Sequence, residues 1–168
     1  MNTMLRNFVL GAAFAAAAGS ASAATMTVYE TPAGSELITS LNATTGTFQV
    51  VYSLNICPLS AGDILVVTAQ SQIQNSSTTH GIYIAAQLRR DSTASTAGNA
   101  LASLGNGTNI APHDYRLVSP KVSISTITDD TDLCVINYIA RAASDQGGTA
   151  DVVNSRGRLQ VLKITPTP

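Results

Sequence analysis

The chain has 168 residues, of which 11% are charged, and a formal net charge of −1 at pH 7. It lacks the excess of basic residues that a nucleic-acid-binding surface needs, so we expect no nucleic-acid partner. With 45% hydrophobic residues and the length of one ordinary domain, the chain can bury a core without a structural metal.

The first predicted element is an export signal. Arg6 supplies a positive charge, Phe8–Ala18 is an apolar run rich in alanine, and Ala21–Ala23 fits a signal-peptidase site. The apolar run is shorter than the roughly 20 residues that a membrane span needs. We therefore expect cleavage before Ala24, no membrane span, and a protein that is secreted, periplasmic or attached to the cell surface.

Residues 24–168 are predicted to form a single all-β domain. Apolar and polar side chains alternate with period two along short runs bounded by turn residues, and no long helical pattern separates these runs. About eight strands of this kind indicate an antiparallel β-sandwich, jelly-roll-like in its strand count. The predicted strands are Thr25–Glu30, Thr47–Ile56, Asp63–Asn75, Ile82–Leu88, Tyr115–Val118, Lys121–Thr128, Leu133–Ala142 and Arg158–Ile164.

The stretch Ala61–Asp91 is predicted to be a central hairpin, because its two strands are joined by the polar run Asn75–Thr79. Amide and phenol groups on its polar side offer hydrogen bonds without a charge to desolvate. This side is a candidate subunit contact or glycan site. The alternative is the wet outer face of a sandwich. The residues concerned are Gln70, Gln72, Gln74, Tyr83 and Gln87.

A long connection, Ser92–Asn109, follows the predicted hairpin. It is rich in Ala, Ser, Thr, Gly and Asn, and within it Ala97–Leu104 is predicted to make a helical turn. Connections of this length in a compact domain are either functional or mobile, and the residues do not distinguish the two roles.

The two cysteines, Cys57 and Cys134, are predicted to form a disulfide, since an exported protein folds in an oxidising compartment. A bond across 77 positions lowers the entropy of the unfolded chain by an amount worth about 4–5 kcal/mol. Each cysteine lies near the end of a predicted strand. The bond therefore ties either two neighbouring strands or the two sheets.

Few residues suit catalysis or metal binding. His113 begins the densest polar group, His113–Arg116, but alternation along a strand places His113 and Tyr115 opposite Asp114 and Arg116. No nucleophile elbow, phosphate-binding loop or zinc-protease motif is present, and we expect neither a cofactor nor a metal. An acidic turn is a candidate calcium site, with a solvated turn as the alternative. It contains Asp129, Asp130 and Asp132.

The strands GDILVVTAQSQIQN and GIYIAAQLR, together with the late strand LQVLKI, resemble secreted or phage-fibre jelly rolls of the C1q/TNF-like kind. The resemblance covers the central and terminal strands, and no functional residue can be carried over from it. It implies a trimeric interaction module rather than an enzyme.

The leading hypothesis is a secreted, non-catalytic β-sandwich with a structural, adhesion or assembly role, forming a homo-oligomer. The first alternative is a lectin-like domain that binds a carbohydrate, and a cell-surface glycan is then the partner. Scarce aromatic residues make a stacking lectin less favoured than a hydrogen-bonding one. The second alternative is a small periplasmic hydrolase that uses His113. The ligand, the partner and the final location after export are not indicated by any motif.

Overall fold

The computed structural model describes residues 23–103, 107–153 and 156–167, and within these ranges the chain forms twelve β-strands and no helix. The strands are β1 (Ala24–Glu30), β2 (Ser40–Asn42), β3 (Gln49–Asn55), β4 (Ile64–Asn75), β5 (Ile82–Asp91), β6 (Asn99–Ser103), β7 (Thr108–Ile110), β8 (Tyr115–Val118), β9 (Ser123–Thr126), β10 (Val135–Ala143), β11 (Thr149–Val152) and β12 (Arg158–Pro166).

The strands form two antiparallel sheets that enclose one core, which confirms the predicted β-sandwich. In the seven-stranded sheet, the long strand β4 is central. Its first half pairs with β12 and β9 and its second half with β11 and β8, while β1 and β2 lie outside β12 and β11. The five-stranded sheet has the order β3-β10-β5-β6, with β7 also paired to β5. The apolar inner faces of both sheets share one buried cluster.

Each of the eight predicted strands corresponds to an observed one, and the four that were not predicted are β2, β6, β7 and β11. These have three to five residues and lie in stretches rich in Gly, Ser, Thr, Asn and Ala, which were interpreted as turns and connections. The predicted helical turn at Ala97–Leu104 is wrong, because Asn99–Ser103 forms β6 and pairs with β5. Leu104 itself lies outside the described residues.

The predicted hairpin is also wrong, because β4 and β5 belong to different sheets. The polar segment between them carries the chain across the end of the sandwich, and it is organised by the fully buried Asn75. The Nδ2 of Asn75 donates to His80 O at 2.9 Å and to Ile110 O at 3.0 Å. Its Oδ1 accepts from Ser77 N at 2.8 Å.

The disulfide between Cys57 and Cys134 is confirmed. Cys57 follows β3 and Cys134 precedes β10, and these two strands are neighbours in the five-stranded sheet. Ile56 N donates to Cys134 O at 2.9 Å beside the bond. Of the two arrangements left open by the sequence, the bond therefore ties neighbouring strands within one sheet.

Two buried tyrosines lie together in the core, and one of them, Tyr138, connects the two sheets. The rings of Tyr52 on β3 and Tyr138 on β10 lie 5.9 Å apart. Tyr138 Oη lies 2.7 Å from Ser71 Oγ on the opposite sheet, and Tyr52 Oη donates to Glu36 Oε1 at 3.1 Å. Burial raises the pKa of both phenols, for Tyr52 with a further contribution from the Glu36 carboxylate, so both stay protonated at neutral pH.

Candidate functional site: the outer face of the seven-stranded sheet

The seven-stranded sheet has one face in the core and one face in solvent. Along β4 the odd-numbered side chains, such as Leu65 and Val67, are buried in the core. Side chains alternate along a strand, so the even-numbered residues of β4 project from the outer face. Residues directly opposite each other on paired strands share a face. The strand register therefore identifies which side chains of β1, β9 and β12 lie beside them.

One half of this outer face is apolar and extends across four strands. One row runs Val28, Leu162, Val66 and Ile124, and the neighbouring row runs Met26, Ile164 and Ile64, ending at Thr126 on β9. The outermost members are largely in solvent, with 71% of Ile124, 68% of Met26 and 60% of Val28 exposed. We name this set the apolar patch: Met26, Val28, Ile64, Val66, Ile124, Leu162 and Ile164.

The other half of the same face combines amide side chains with exposed hydrophobic ones, and it contains three of the predicted interaction residues. Gln70, Gln72 and Gln74 follow one another along β4 on its outer side, where Gln74 is exposed, Gln70 is half-buried and Gln72 is buried. Gln72 lies opposite Leu117 and Gln74 opposite Tyr115, both on β8, and these two partners are exposed. We name these five residues the glutamine half. It continues the apolar patch along β4 without a charged side chain of that strand between them.

The remaining two predicted interaction residues lie elsewhere. Tyr83 and Gln87 are on β5, in the five-stranded sheet, and their odd positions face away from the core that contains Ile82, Ile84 and Leu88. The predicted five-residue face is therefore divided between the two opposite outer surfaces of the sandwich. The cause is the crossing of the chain between β4 and β5, since a hairpin would have kept both strands in one sheet.

The polar group at His113 forms no enclosed site. His113 is exposed and has a left-handed backbone, with φ of 57°. Asp114 and Arg116 form an ion pair at 3.0 Å, as strand alternation predicts, but both are in contact with solvent. These residues are solvated and are not enclosed by a cavity, as the residues of a catalytic acid–base pair commonly are. The hydrolase alternative therefore gains no support from their geometry.

The other histidine has a structural environment. His80 Nδ1 lies 3.0 Å from Ser77 Oγ and 3.1 Å from Thr79 Oγ1, and Nε2 lies 2.8 Å from Gly147 O. A neutral ring with its proton on Nε2 donates to the Gly147 carbonyl and accepts from the two hydroxyls. His80 thus connects the crossing between the sheets to the turn after β10.

The candidate calcium site at the acidic turn gains no support from the geometry. Within the described ranges, which include Asp129, Asp130 and Asp132, no group of three or more His, Cys, Asp or Glu residues converges so as to hold a metal ion. Asp129 instead accepts a hydrogen bond from Thr128 Oγ1 at 2.9 Å, and Asp130 has a left-handed backbone with φ of 52°. The three carboxylates are exposed, and the turn leads into β10.

The tyrosines do not provide a common platform for a sugar ring. Tyr52 and Tyr138 are buried in the core. The exposed Tyr83 and Tyr115 lie on opposite outer surfaces of the sandwich. In the part of the chain that the structure describes, no helix is long and apolar enough to cross a membrane.

Comparisons with known proteins show the fold. No protein-family model and no curated protein matches the chain. Among solved structures, it resembles a chain in the structure of the Gt strain of infectious bursal disease virus, with a TM-score of 0.52 and 13% identity. That match covers 85% of this chain and 41% of the viral chain. A match to the Gx strain of the same virus has a TM-score of 0.47 and 12% identity, and covers 84% and 38% of the two chains.

The chain thus spans about two fifths of the viral chain that it resembles. At this identity the likeness concerns architecture: an antiparallel β-sandwich of the kind that occurs in that virus structure. The resemblance to C1q/TNF-like domains stays a prediction, and so does the trimer that it implied.

Proposed function

We propose that the protein is an exported, non-catalytic structural module that assembles with further copies of itself through the outer face of the seven-stranded sheet. The observation that carries this proposal is the apolar patch, which is continuous over four adjacent strands. Contiguous apolar surface on a protein in water is a common mark of an interaction site. The fold likeness to a virus chain supports a structural role.

The patch suits a second copy of the same chain. It has no charged side chain, so two copies can approach each other without like-charge repulsion or burial of an unpaired charge. Strand and residue spacings give it an extent on the order of 300 Å², less than the roughly 800 Å² that each partner buries in a stable complex. The contact therefore extends over the glutamine half, which adjoins the apolar patch at one end and adds amide groups beside the exposed Tyr115 and Leu117.

Ile124→Lys tests the proposed assembly. A lysine at this exposed position would place a charge inside the apolar contact and would leave the core untouched. We expect the mature wild-type protein to be oligomeric at micromolar concentration in sedimentation-velocity and light-scattering experiments, and Ile124→Lys to form smaller assemblies than the wild type. Asn99→Lys is the matched control, because it adds the same charge at an exposed position on β6 of the five-stranded sheet, outside the proposed contact, and it should assemble like the wild type. A strictly monomeric wild type would contradict the proposal.

Export is the second part of the proposal. The Cys57–Cys134 bond supports it, since disulfides form and persist in oxidising compartments. In addition, β1 begins at Ala24, the residue that follows the predicted cleavage point. We expect Edman sequencing of the native protein, recovered from the periplasm or the medium, to begin at Ala24. Recovery of the chain with residues 1–23 intact and inside the cell would contradict export.

A further inference from the structure

β1 is an open edge of the seven-stranded sheet. In the described part of the chain it pairs only with β12, so its other edge presents backbone N–H and C=O groups without a strand partner. Its seven residues include no lysine and no proline, the residues that commonly prevent strand addition. The other seven-residue edge strand, β3, differs, because Leu37 N donates to Val51 O on it at 2.9 Å.

We propose that two copies of the mature protein join by antiparallel pairing of their β1 strands, and that signal cleavage before Ala24 completes this contact. The inference rests on the export proposed above, because cleavage creates the terminus that it uses. The contact between the β1 edges is separate from the outer-face contact, and the assembly uses both. The partner is a second copy of this chain.

One register pairs the whole of both strands. In a two-fold antiparallel pair, residues opposite each other point to the same face, so the symmetry axis passes midway between one residue and the same residue of the second copy. With the axis at Thr27, all seven residues of Ala24–Glu30 find partners. Met26 then lies opposite Val28 of the second copy on the outer face. The two apolar patches become neighbours, and the patch doubles in width at the junction.

The same register brings opposite charges together. Ala24 lies directly opposite Glu30 of the second copy, and by symmetry this happens at both ends of the pair. In the mature chain Ala24 carries a free ammonium group, which is charged at neutral pH. Glu30 supplies an exposed carboxylate, which lies 3.4 Å from Arg158 within its own copy.

The uncleaved chain lacks this complementarity. Residue 24 is then joined to Ala23 by a neutral peptide bond, so it carries no ammonium group. The ion pair with Glu30 of the second copy is therefore absent at both ends. Processing therefore controls pairing, so that assembly is delayed until the protein has been exported.

Cysteine cross-linking tests the register. Cys57 and Cys134 are bonded to each other, so an introduced cysteine is the only thiol of the mature chain. Thr27→Cys places two thiols opposite each other across the symmetry axis, within the Cα separation that a disulfide spans. We expect mild oxidation to convert Thr27→Cys largely to a covalent dimer on non-reducing gels. Thr126→Cys, on the opposite edge of the same sheet, is the matched control and should stay largely uncross-linked.

The ion pair is tested by dissociation constants from sedimentation equilibrium. Glu30→Gln should weaken the dimer about 10-fold, as expected for two exposed ion pairs. A mature chain with four Gly/Ser residues ahead of Ala24 should weaken it by a similar factor, and the two changes together should add little. Asp129→Asn, which removes one exposed carboxylate far from β1, should leave the dissociation constant unchanged.

The outcomes separate this inference from the proposed function. A covalent dimer of Thr126→Cys but not of Thr27→Cys would show stacked outer faces and would overturn edge pairing, while self-assembly would stand. An oligomeric protein in which neither variant cross-links would also overturn edge pairing. A monomer in every experiment would overturn both proposals. A fourth outcome is that Thr27→Cys cross-links, while neither Glu30→Gln nor the added Gly/Ser residues change the dissociation constant. Pairing of the β1 edges would then stand, and the control of that pairing by signal cleavage would be overturned.

Discussion

Replacing Cys57 by serine is expected to lower the free energy of unfolding by about 2–5 kcal/mol, because the bond that it removes closes a 77-position loop. The native state should lose little else, because the Ile56 N to Cys134 O hydrogen bond and the pairing of β3 with β10 do not depend on the Cys57 side chain. The destabilisation therefore arises chiefly in the unfolded chain, which gains the conformations that the bond had excluded.

Urea denaturation of the mature protein measures this effect. The midpoint should fall by about 1–3 M, given a slope of roughly 1–3 kcal/mol per molar urea for a small domain. A reducing agent should lower the wild-type midpoint to about that of Cys57→Ser and should leave the variant where it is. An unchanged midpoint, or a wild type that accepts two alkyl groups without reduction, would show that the bond contributes nothing.

The class of fold could be predicted from the sequence because apolar and polar residues alternate clearly along most of the long strands. It failed where alternation is short or interrupted. Val51 is an example: the register shifts there between β3 and β10, so the side chain turns into the core although its neighbours predict the opposite face. The strand was predicted correctly, and the local bulge had no sequence signal.

The apolar patch was missed for a different reason. Ile64 and Val66 are apolar like the core residues Leu65 and Val67 that alternate with them. The first half of β4 therefore shows no alternation that would distinguish its outer face from its core face. The patch is assembled from β1, β4, β9 and β12, and only the pairing of these distant segments makes it continuous. The disulfide was predictable because it needs only two cysteines and an oxidising compartment, whereas its place within one sheet required the topology.

The predicted hairpin failed because polar turn residues serve equally well to reverse a strand within one sheet and to carry it to the opposite sheet. Asn75 marks the difference. A residue at a hairpin tip is solvated, whereas Asn75 is completely buried and uses both ends of its amide within the protein. It connects the crossing segment to the carbonyl of Ile110 at the end of β7.

Asn75→Ala is therefore expected to destabilise the mature protein by about 3–4 kcal/mol, since each lost hydrogen bond costs roughly 1 kcal/mol and a buried group left unpaired costs more. The alanine side chain leaves the Ile110 and His80 carbonyls and the Ser77 N–H without the amide. Gln74→Ala removes a neighbouring, exposed amide and should change stability by less than about 0.5 kcal/mol.

Urea midpoints of the two variants provide the comparison, and hydrogen exchange locates the effect. In Asn75→Ala, amide exchange should accelerate first in the segment from Ser76 to Gly81 and at the paired ends of β5 and β7. If Asn75→Ala and Gln74→Ala unfolded at the same urea concentration, the buried amide would not hold the crossing. The polar composition of the segment alone would then have to explain why β5 enters the second sheet instead of pairing with β4.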